Sequence, residues 1–390
     1  MKRLICLIGV ICIALTACGK GGNSDSKAEE TQSVALDFTC TESFTDSGIV
    51  YQNDEGILHF YDVESGYDTA LCSKANCKHK GVSLGNPKSD CDGYVEGLGA
   101  SCEAIYGGKL YFLYTPESDD KGYAGFGIKR LCRADTDGTN RKIIAELDNA
   151  QTITGACYGE GYLAVAYKNT FDENGNNLPV RSAYVSVIDL ETGNMTSQKI
   201  EGCETNIRKL CIENGKVYFD CTYLKSELKT DSFKNDEDMQ DFINKNICCD
   251  IYEMSIDNGD MKKTYSSSGS CSDIGHGYAV VNKDSPVIIE LSSGKTTELD
   301  EKYKDCIFNT LSEGILVYDY IGGEYILYDP GKNELKSLLK KKQENYFNIA
   351  AVTDKRVYVN YQKGDDFCLG VMDKEKLLSG GADIQFIKVI

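Results

Sequence analysis

Histidine is nearly missing from this chain, with three residues in 390: His59, His79 and His276. A Ser-His-Asp or Cys-His mechanism would need one of them to meet distant partners that nothing in the local sequence advertises. His59 lies in a strand-like run and His276 in a tight GHG turn, which leaves His79 as the one with chemistry around it. Basic residues are also short, 42 Lys and Arg against 60 Asp and Glu. A field of that sign repels phosphate backbones and anionic polymers, which argues against nucleic acid as a partner. Proline is sparse, and all five (Pro87, Pro116, Pro179, Pro286, Pro330) fall in predicted loops. That is what strands keeping their ladder donors require. Beyond the leader, no stretch is apolar and long enough to be a membrane helix.

What is present begins with an address. Lys2 and Arg3 precede an apolar run from Leu4 to Leu15, followed by Thr16, Ala17 and Cys18. Twelve apolar residues are too few to span a bilayer, and the order is that of a secretory signal. LTAC followed by Gly19 resembles a bacterial lipobox, in which the cysteine is acylated and the preceding peptide is cut away. The expected organisation is a lipoprotein signal peptide over 1–17, acylated Cys18 with a flexible linker over 18–33, and a folded domain over 34–390. The linker is rich in Gly, Ser, Lys and Glu without periodicity. This predicts a chain held by its N-terminal lipid on the extracytoplasmic face of the cell membrane. Without Lys2 and Arg3 the mature chain has 40 basic and 60 acidic residues, a formal charge of −20.

Eighteen cysteines are under 5% of the chain, too dilute for a disulfide scaffold. Setting aside Cys6, Cys12 and Cys18 leaves 15, so at least one must stay unpaired within the chain. Many sit inside apolar strand-like runs (Cys102, Cys157, Cys211, Cys221, Cys271), where a thiol acts as a small hydrophobe. Most are expected to be buried free thiols, and the vicinal pair Cys248 and Cys249 to be small strand residues.

Self-similarity is the strongest signal in the mature chain. A glycine followed by a Tyr- or Val-rich strand recurs as GIVYQ at Gly48, GKLYF at Gly108, GYLAV at Gly161, GKVYF at Gly215, GYAVV at Gly277 and GILVY at Gly314, with RVYVN at Arg356 as a seventh copy. A polar turn with a second glycine closes six of them, at Gly66, Gly138, Gly193, Gly259, Gly294 and Gly331; the seventh keeps VMDKEK without it. The glycine pairs are 18, 30, 32, 44, 17 and 17 residues apart, so copies two to four are lengthened. Adding a strand before the first glycine and one after the second gives four short strands per copy. Period-two alternation of Val, Ile, Tyr, Phe and Leu favours strand over helix. A four-stranded unit with two apolar faces needs a neighbour on each side, and seven units can close a ring. The fold class is therefore all-β, a seven-bladed β-propeller of four-stranded antiparallel blades. An open β-solenoid or paired sandwiches is the alternative.

These repeats resemble those of YWTD-type and TolB-like extracellular propellers, specifically the bacterial lipoproteins carrying the domain of unknown function DUF5050. The resemblance rests on LCRADTDGTNRKII, Leu131 to Ile144, and on the seven glycine-aromatic strands, and it spans roughly residues 40–390. It implies fold and is nearly silent on function.

If strands are lettered A to D from the axis outward, the B to C and D to A connections emerge on one face. The extensions Thr115 to Gly127, Lys168 to Arg181 and Leu224 to Lys245 are B to C loops, and Ser73 to Gly99 is a D to A loop. All four are expected on the same face, over blades one to four, as a binding face. Phe233, Met239, Phe242 and Ile243 predict a short amphipathic helix in the third loop. Asp172, Asn174 and Asn176 open like a calcium loop, but Asn177 and Ala183 stand where Gly and Glu are needed, so a polar hairpin tip is expected.

One constellation carries metal chemistry. Cys72, Cys77, His79 and Cys91 offer three thiolates and an imidazole, a set suited to tetrahedral zinc, and a similar LCxxxxCxH stretch is implied by the resemblance. The same spacing fits disulfides or free thiols. In each case a structural staple for the loop is expected, since a closed four-ligand site leaves no position for substrate. No catalytic residues stand out, because 60 acids offer too many carboxylate pairs for a glycosidase to be read from sequence. The reading is a non-enzymatic binding propeller whose ligand is a cell-surface protein or polysaccharide. A carbohydrate-active hydrolase or lyase using channel carboxylates, and an envelope-assembly scaffold, are the alternatives.

Overall fold

The glycine-aromatic runs are continuous in apolar residues because both faces of each strand are buried. In the computed structural model of the chain, Leu110, Phe112 and Tyr114 of GKLYFLY point into one core while Tyr111 and Leu113 point into the next. Val217, Phe219 and Cys221 share one side of their strand, and Tyr218 faces the other. Period two thus feeds two different cores from one strand.

The structure describes residues 34–36, 43–83, 86, 88–96, 100–116, 128–148, 150–171, 177–200, 207–226, 233, 235–319, 321–340, 347–363, 366–381 and 384–387. All fall in one unit, Gln32–Ile390. The leader, Cys18 and the linker lie outside them, as do 117–127, 227–232 and the tip 172–176 with Asp172, Asn174 and Asn176.

Seven antiparallel sheets follow one another in chain order, with strands in residues 43–70, 100–148, 152–200, 210–268, 270–298, 307–340 and 347–387. In every sheet the four repeat strands are neighbours in sequence order, and they form the seven blades of a β-propeller. First strands of successive blades approach one another, which makes them the inner strands, lettered A, with D outermost. Val34–Leu36 adds a fifth strand to the inner edge of blade 3, Val34 opposite Tyr158 and Leu36 opposite Ala156. Seven hydrophobic clusters fill the seven gaps between blades. The last of these gaps joins Phe44, Ile49 and Tyr51 of blade 1 to Tyr358 and Val371 of blade 7, and so closes the ring.

Several expectations need correcting. Lys168 to Arg181 is not a loop over most of its length. Strands Tyr162–Phe171 and Asn177–Asp189 continue pairing out to Phe171 opposite Asn177, forming one long hairpin. Pro179 therefore sits in a strand, at a stretch where the ladder is irregular between Asn169 and Phe171, which is where a residue without an N–H is tolerated. In blade 6 the left-handed turn residue is Asn333 (φ 56°), not Gly331, because Asn shares glycine's tolerance of that region. In the seventh copy a short helix, Lys374–Leu378, capped by Asp373, replaces the missing glycine turn. The amphipathic helix of the third loop is present at Asp236–Asn246, with Asn235 accepting from the Asp238 N–H as its cap.

Candidate metal centre

The four Cys and His residues lie where the outer strand of blade 1 is broken. Asp68–Ala70 pairs with Leu58–Asp62, and Leu71 N–H still donates to Leu58 O at 2.8 Å. The chain then leaves the sheet. It returns at Gly93, whose carbonyl accepts from Leu58 N–H at 2.9 Å; Tyr94 bridges Ile57, and Val95 N–H donates to Gly56 O at 2.9 Å. The expected D to A loop from Ser73 is therefore an insertion of residues 72–92 within strand D, and only the residues after Val95 lead to blade 2. A Cβ at Gly93 would lie 3.1 Å from Leu71 O, so the glycine lets the two half-strands abut.

Cys72 is the first residue out of the sheet and Cys91 comes two before the return. Between them, Asn76 (φ 62°) and His79 (φ 50°) take left-handed conformations that turn Cys77 and His79 back to the neck. The three Sγ atoms and a ring nitrogen of His79 all lie within 4.8 Å of one another, the only such group of three or more among the described residues. Cys91 Sγ is 3.5 Å from His79 Nδ1. A tetrahedral zinc with ordinary bond lengths places S and N about 3.6 Å apart and two sulfurs about 3.8 Å apart. The donor set and its spacing can hold a metal ion.

Backbone donors already serve the sulfurs. Asp92 N–H donates to Cys72 Sγ and His79 N–H to Cys77 Sγ, each at 3.4 Å. Burial works to raise the Cys72 thiol, but the N–H groups of Lys74 and Asp92 and the neighbouring thiols outweigh it and hold the group below its ordinary value. Cys91 is buried and is pushed up to about 12, mainly by desolvation and then by sharing space with Cys72 and Cys77. Three thiols this close cannot all ionise alone, whereas a divalent cation among them stabilises the thiolates.

Twelve of the cysteines among the described residues are free thiols. Cys157, Cys211, Cys221, Cys248 and Cys249 are buried, as the strand pattern implied, whereas Cys271 is half-buried. Cys248 and Cys249 point to opposite faces of their strand. The histidines stay apart. His59 bonds Asp68 Oδ1 at 3.0 Å and Asn53 at 3.1 Å within blade 1, and His276 occupies the A to B turn of blade 5.

Acids on and beside the inner strands pin blades together. Glu160 Oε1 and Oε2 accept from Asn214 and Gly215 N–H groups at 2.6 and 2.8 Å. Glu213 accepts from Gly277 N–H at 2.8 Å. Asp273 accepts from the N–H and hydroxyl of Thr310. The sequence offered no sign of this use, because each partner belongs to the next blade. Asp220, almost fully buried, was also missed; it caps Arg208 and Lys209 N–H groups at the entry to blade 4.

No protein-family model and no curated protein matches this sequence. Solved structures do. An acylaminoacyl peptidase from Pyrococcus horikoshii is similar at 12% identity with a TM-score of 0.52, over 92% of this chain and 53% of that one. This chain thus spans about half the length of that peptidase, and the likeness is one of fold alone. The β-propeller domain of the Trilobed protease from Pyrococcus furiosus gives 10% identity and a TM-score of 0.49, over 93% and 97% of the two chains. TolB from Acinetobacter baumannii gives 14% and 0.37, over 86% and 78%.

Proposed function

We propose that this chain is a non-enzymatic binding propeller of the DUF5050 lipoprotein type, held outside the cytoplasmic membrane by acyl groups on Cys18, that takes a cell-surface protein or polysaccharide on one face. Zinc held by Cys72, Cys77, His79 and Cys91 is its structural cofactor. What carries the reading is a contrast between the two ends of the ring. The A to B connections are tight turns in every blade, such as Gly107-Gly108, Asn214-Gly215 and His276-Gly277. The B to C connections, at the opposite end, carry the long hairpin of blade 3 and the helix Asp236–Asn246 of blade 4. Elaboration on one end over closed, uniform cores is the pattern of a scaffold presenting a surface. The acids on and beside the inner strands support binding over hydrolysis, since Glu160, Glu213 and Asp273 already serve backbone donors.

Photocrosslinking on intact cells tests the reading. A photoreactive residue at Met239 or the exposed Gln240 should give adducts with an envelope component, and one at Asn214 should not. Adducts from Asn214 alone, or turnover of a wall glycan by the purified chain, would overturn it. Cys18→Ala should move the chain from the membrane to the soluble fraction.

A further inference from the structure

The metal centre sits in the break of blade 1's outer strand, and the same break faces blade 2. In blades 3 and 4 the left-handed glycine of the C to D turn presses on an unbroken outer strand of the preceding blade. A Cβ at Gly193 would lie 2.0 Å from Ile144 O, and one at Gly259 would lie 2.7 Å from Thr196 Cγ2. Gly138 of blade 2 holds the equivalent position, with φ 78°. Its missing Cβ would lie 2.4 Å from Asp92 O and 2.6 Å from Leu71 O, one atom from each side of the break. The receiving strand at this interface is thus two half-strands, both bonded to Leu58 of strand C but separated in the chain by residues 72–92.

Blade 2 grips both sides. Arg141 donates through Nη1 to Tyr94 O at 2.7 Å, through Nη2 to Asp92 O, and through Nε to Gly138 O of its own turn at 3.1 Å. Its guanidinium also lies 5.3 Å over the Phe112 ring, which fixes the side chain's plane. On the other side of the break, Ser73 Oγ donates to Asp137 Oδ2 at 2.6 Å. Asp92 belongs to both systems: its N–H serves Cys72 Sγ and its carbonyl accepts from Arg141. The neck from Cys72 to Cys91 and the grip on blade 2 thus share backbone at Asp92.

Resting on the zinc reading above, we propose that a divalent ion bound by Cys72, Cys77, His79 and Cys91 is the clasp that joins the two halves of blade 1's outer strand and docks them on the Asp135–Arg141 turn of blade 2. Ion binding and inter-blade docking are then one coupled equilibrium. Coupling of this kind is reciprocal, so Arg141 and Ser73, which contribute no ligand atom, are positioning residues for the ion.

The test uses the full mature chain with zinc alone as the probe. Zinc affinity is measured by competition with a chromophoric chelator for the wild type, Arg141→Ala and Ser73→Ala, and amide exchange is followed with and without zinc. The wild type should bind one zinc, and Arg141→Ala should bind it about tenfold more weakly. Ser73→Ala, a single hydroxyl removed, should shift affinity in the same direction by less and guards against misfolding of the first variant. Removing zinc should speed exchange at 91–95 and at 135–141 of blade 2, while blade 5 (270–298) stays protected. Stoichiometric zinc with unchanged exchange at 135–141, or both variants binding zinc as tightly as the wild type, would overturn the clasp and leave the zinc reading standing. No zinc bound by the wild type, with all three thiols freely alkylated, would remove both.

Discussion

At the scale of single residues, two glycines with the same backbone conformation do different work. Gly193 (φ 77°) abuts Ile144 O of blade 2, whereas Gly294 (φ 71°) has nothing within 4 Å of where a Cβ would stand. Gly294→Ala should cost only the left-handed strain, about 1 kcal/mol. Gly193→Ala must also displace strand backbone and should cost about 3 kcal/mol or more. Urea midpoints that fall equally would show that the approach between blades is unimportant. Asp220 makes a pH-dependent case. Its Oδ1 accepts from Arg208 and Lys209 N–H groups, both at 2.8 Å, and Oδ2 from the Thr222 hydroxyl at 2.8 Å. Burial is the larger influence and raises this carboxyl above its ordinary value against those donors. A raised carboxyl contributes stability that is present below the unfolded value and lost as pH rises through the folded one. Asp220→Asn keeps the acceptor without the charge, so its midpoint should gain on the wild type as pH rises above the ordinary carboxylate range. Asp220→Ala strands two N–H groups and should cost about 2–4 kcal/mol throughout. The buried thiols were legible because alternation puts them on a core face. Asp220 was not, since strand register alone brings it to partners eleven and twelve residues away.

At the scale of elements, the A to B hairpins of blades 2 to 5 turn on two residues with positive φ, Gly107-Gly108, Glu160-Gly161, Asn214-Gly215 and His276-Gly277. Such turns match the right-handed twist of the strands, which is why the first glycine of these four repeats was visible in sequence. That Glu160 and His276 accept a left-handed backbone was not visible, and for Glu160 the return is its two bonds to the next blade. Glu313 does similar work between blades 6 and 7: Lys374 Nζ lies 3.0 Å from its Oε1 and 3.1 Å from its Oε2. Partial burial works to raise Glu313, but hydrogen bonds from Lys374 and Ser312 overcome it and lower the carboxyl. A lowered carboxyl contributes stability present above the unfolded value and lost as pH falls through the folded one. The midpoint gap between wild type and Glu313→Gln should therefore be open at neutral pH and close in acid, below the usual carboxylate range. A gap independent of pH would assign the effect to packing.

At the scale of the whole ring, no strand is exchanged between the first and last blades among the described residues, and hydrogen bonds that each use a side chain hold the seam. Tyr358 OH donates to Thr45 O at 2.8 Å, Gln385 Nε2 to Val63 O at 2.8 Å, and Lys355 N–H to Asp46 Oδ1 at 2.8 Å, over the Phe44 and Tyr358 rings 4.8 Å apart. Tyr358→Phe should cost about 1 kcal/mol and Tyr358→Ala about 3–5 kcal/mol. Both should unfold in one transition, because every blade needs two neighbours; an early transition confined to blades 1 and 7 would show an opening seam. Blade number, strand order and the burial of the repeat strands were determined by the sequence itself, since period-two apolar runs and left-handed turn glycines act within a few residues of chain. The four candidate residues Cys72, Cys77, His79 and Cys91 were legible in the sequence too, but the seam, the pins between blades and the break in strand D that holds those four together were decided only by the tertiary structure. The seam and the pins join residues that chain distance separates, and only blades packed face to face bring them within bonding reach, while the break needs strand C to pair with both Leu71 and Gly93.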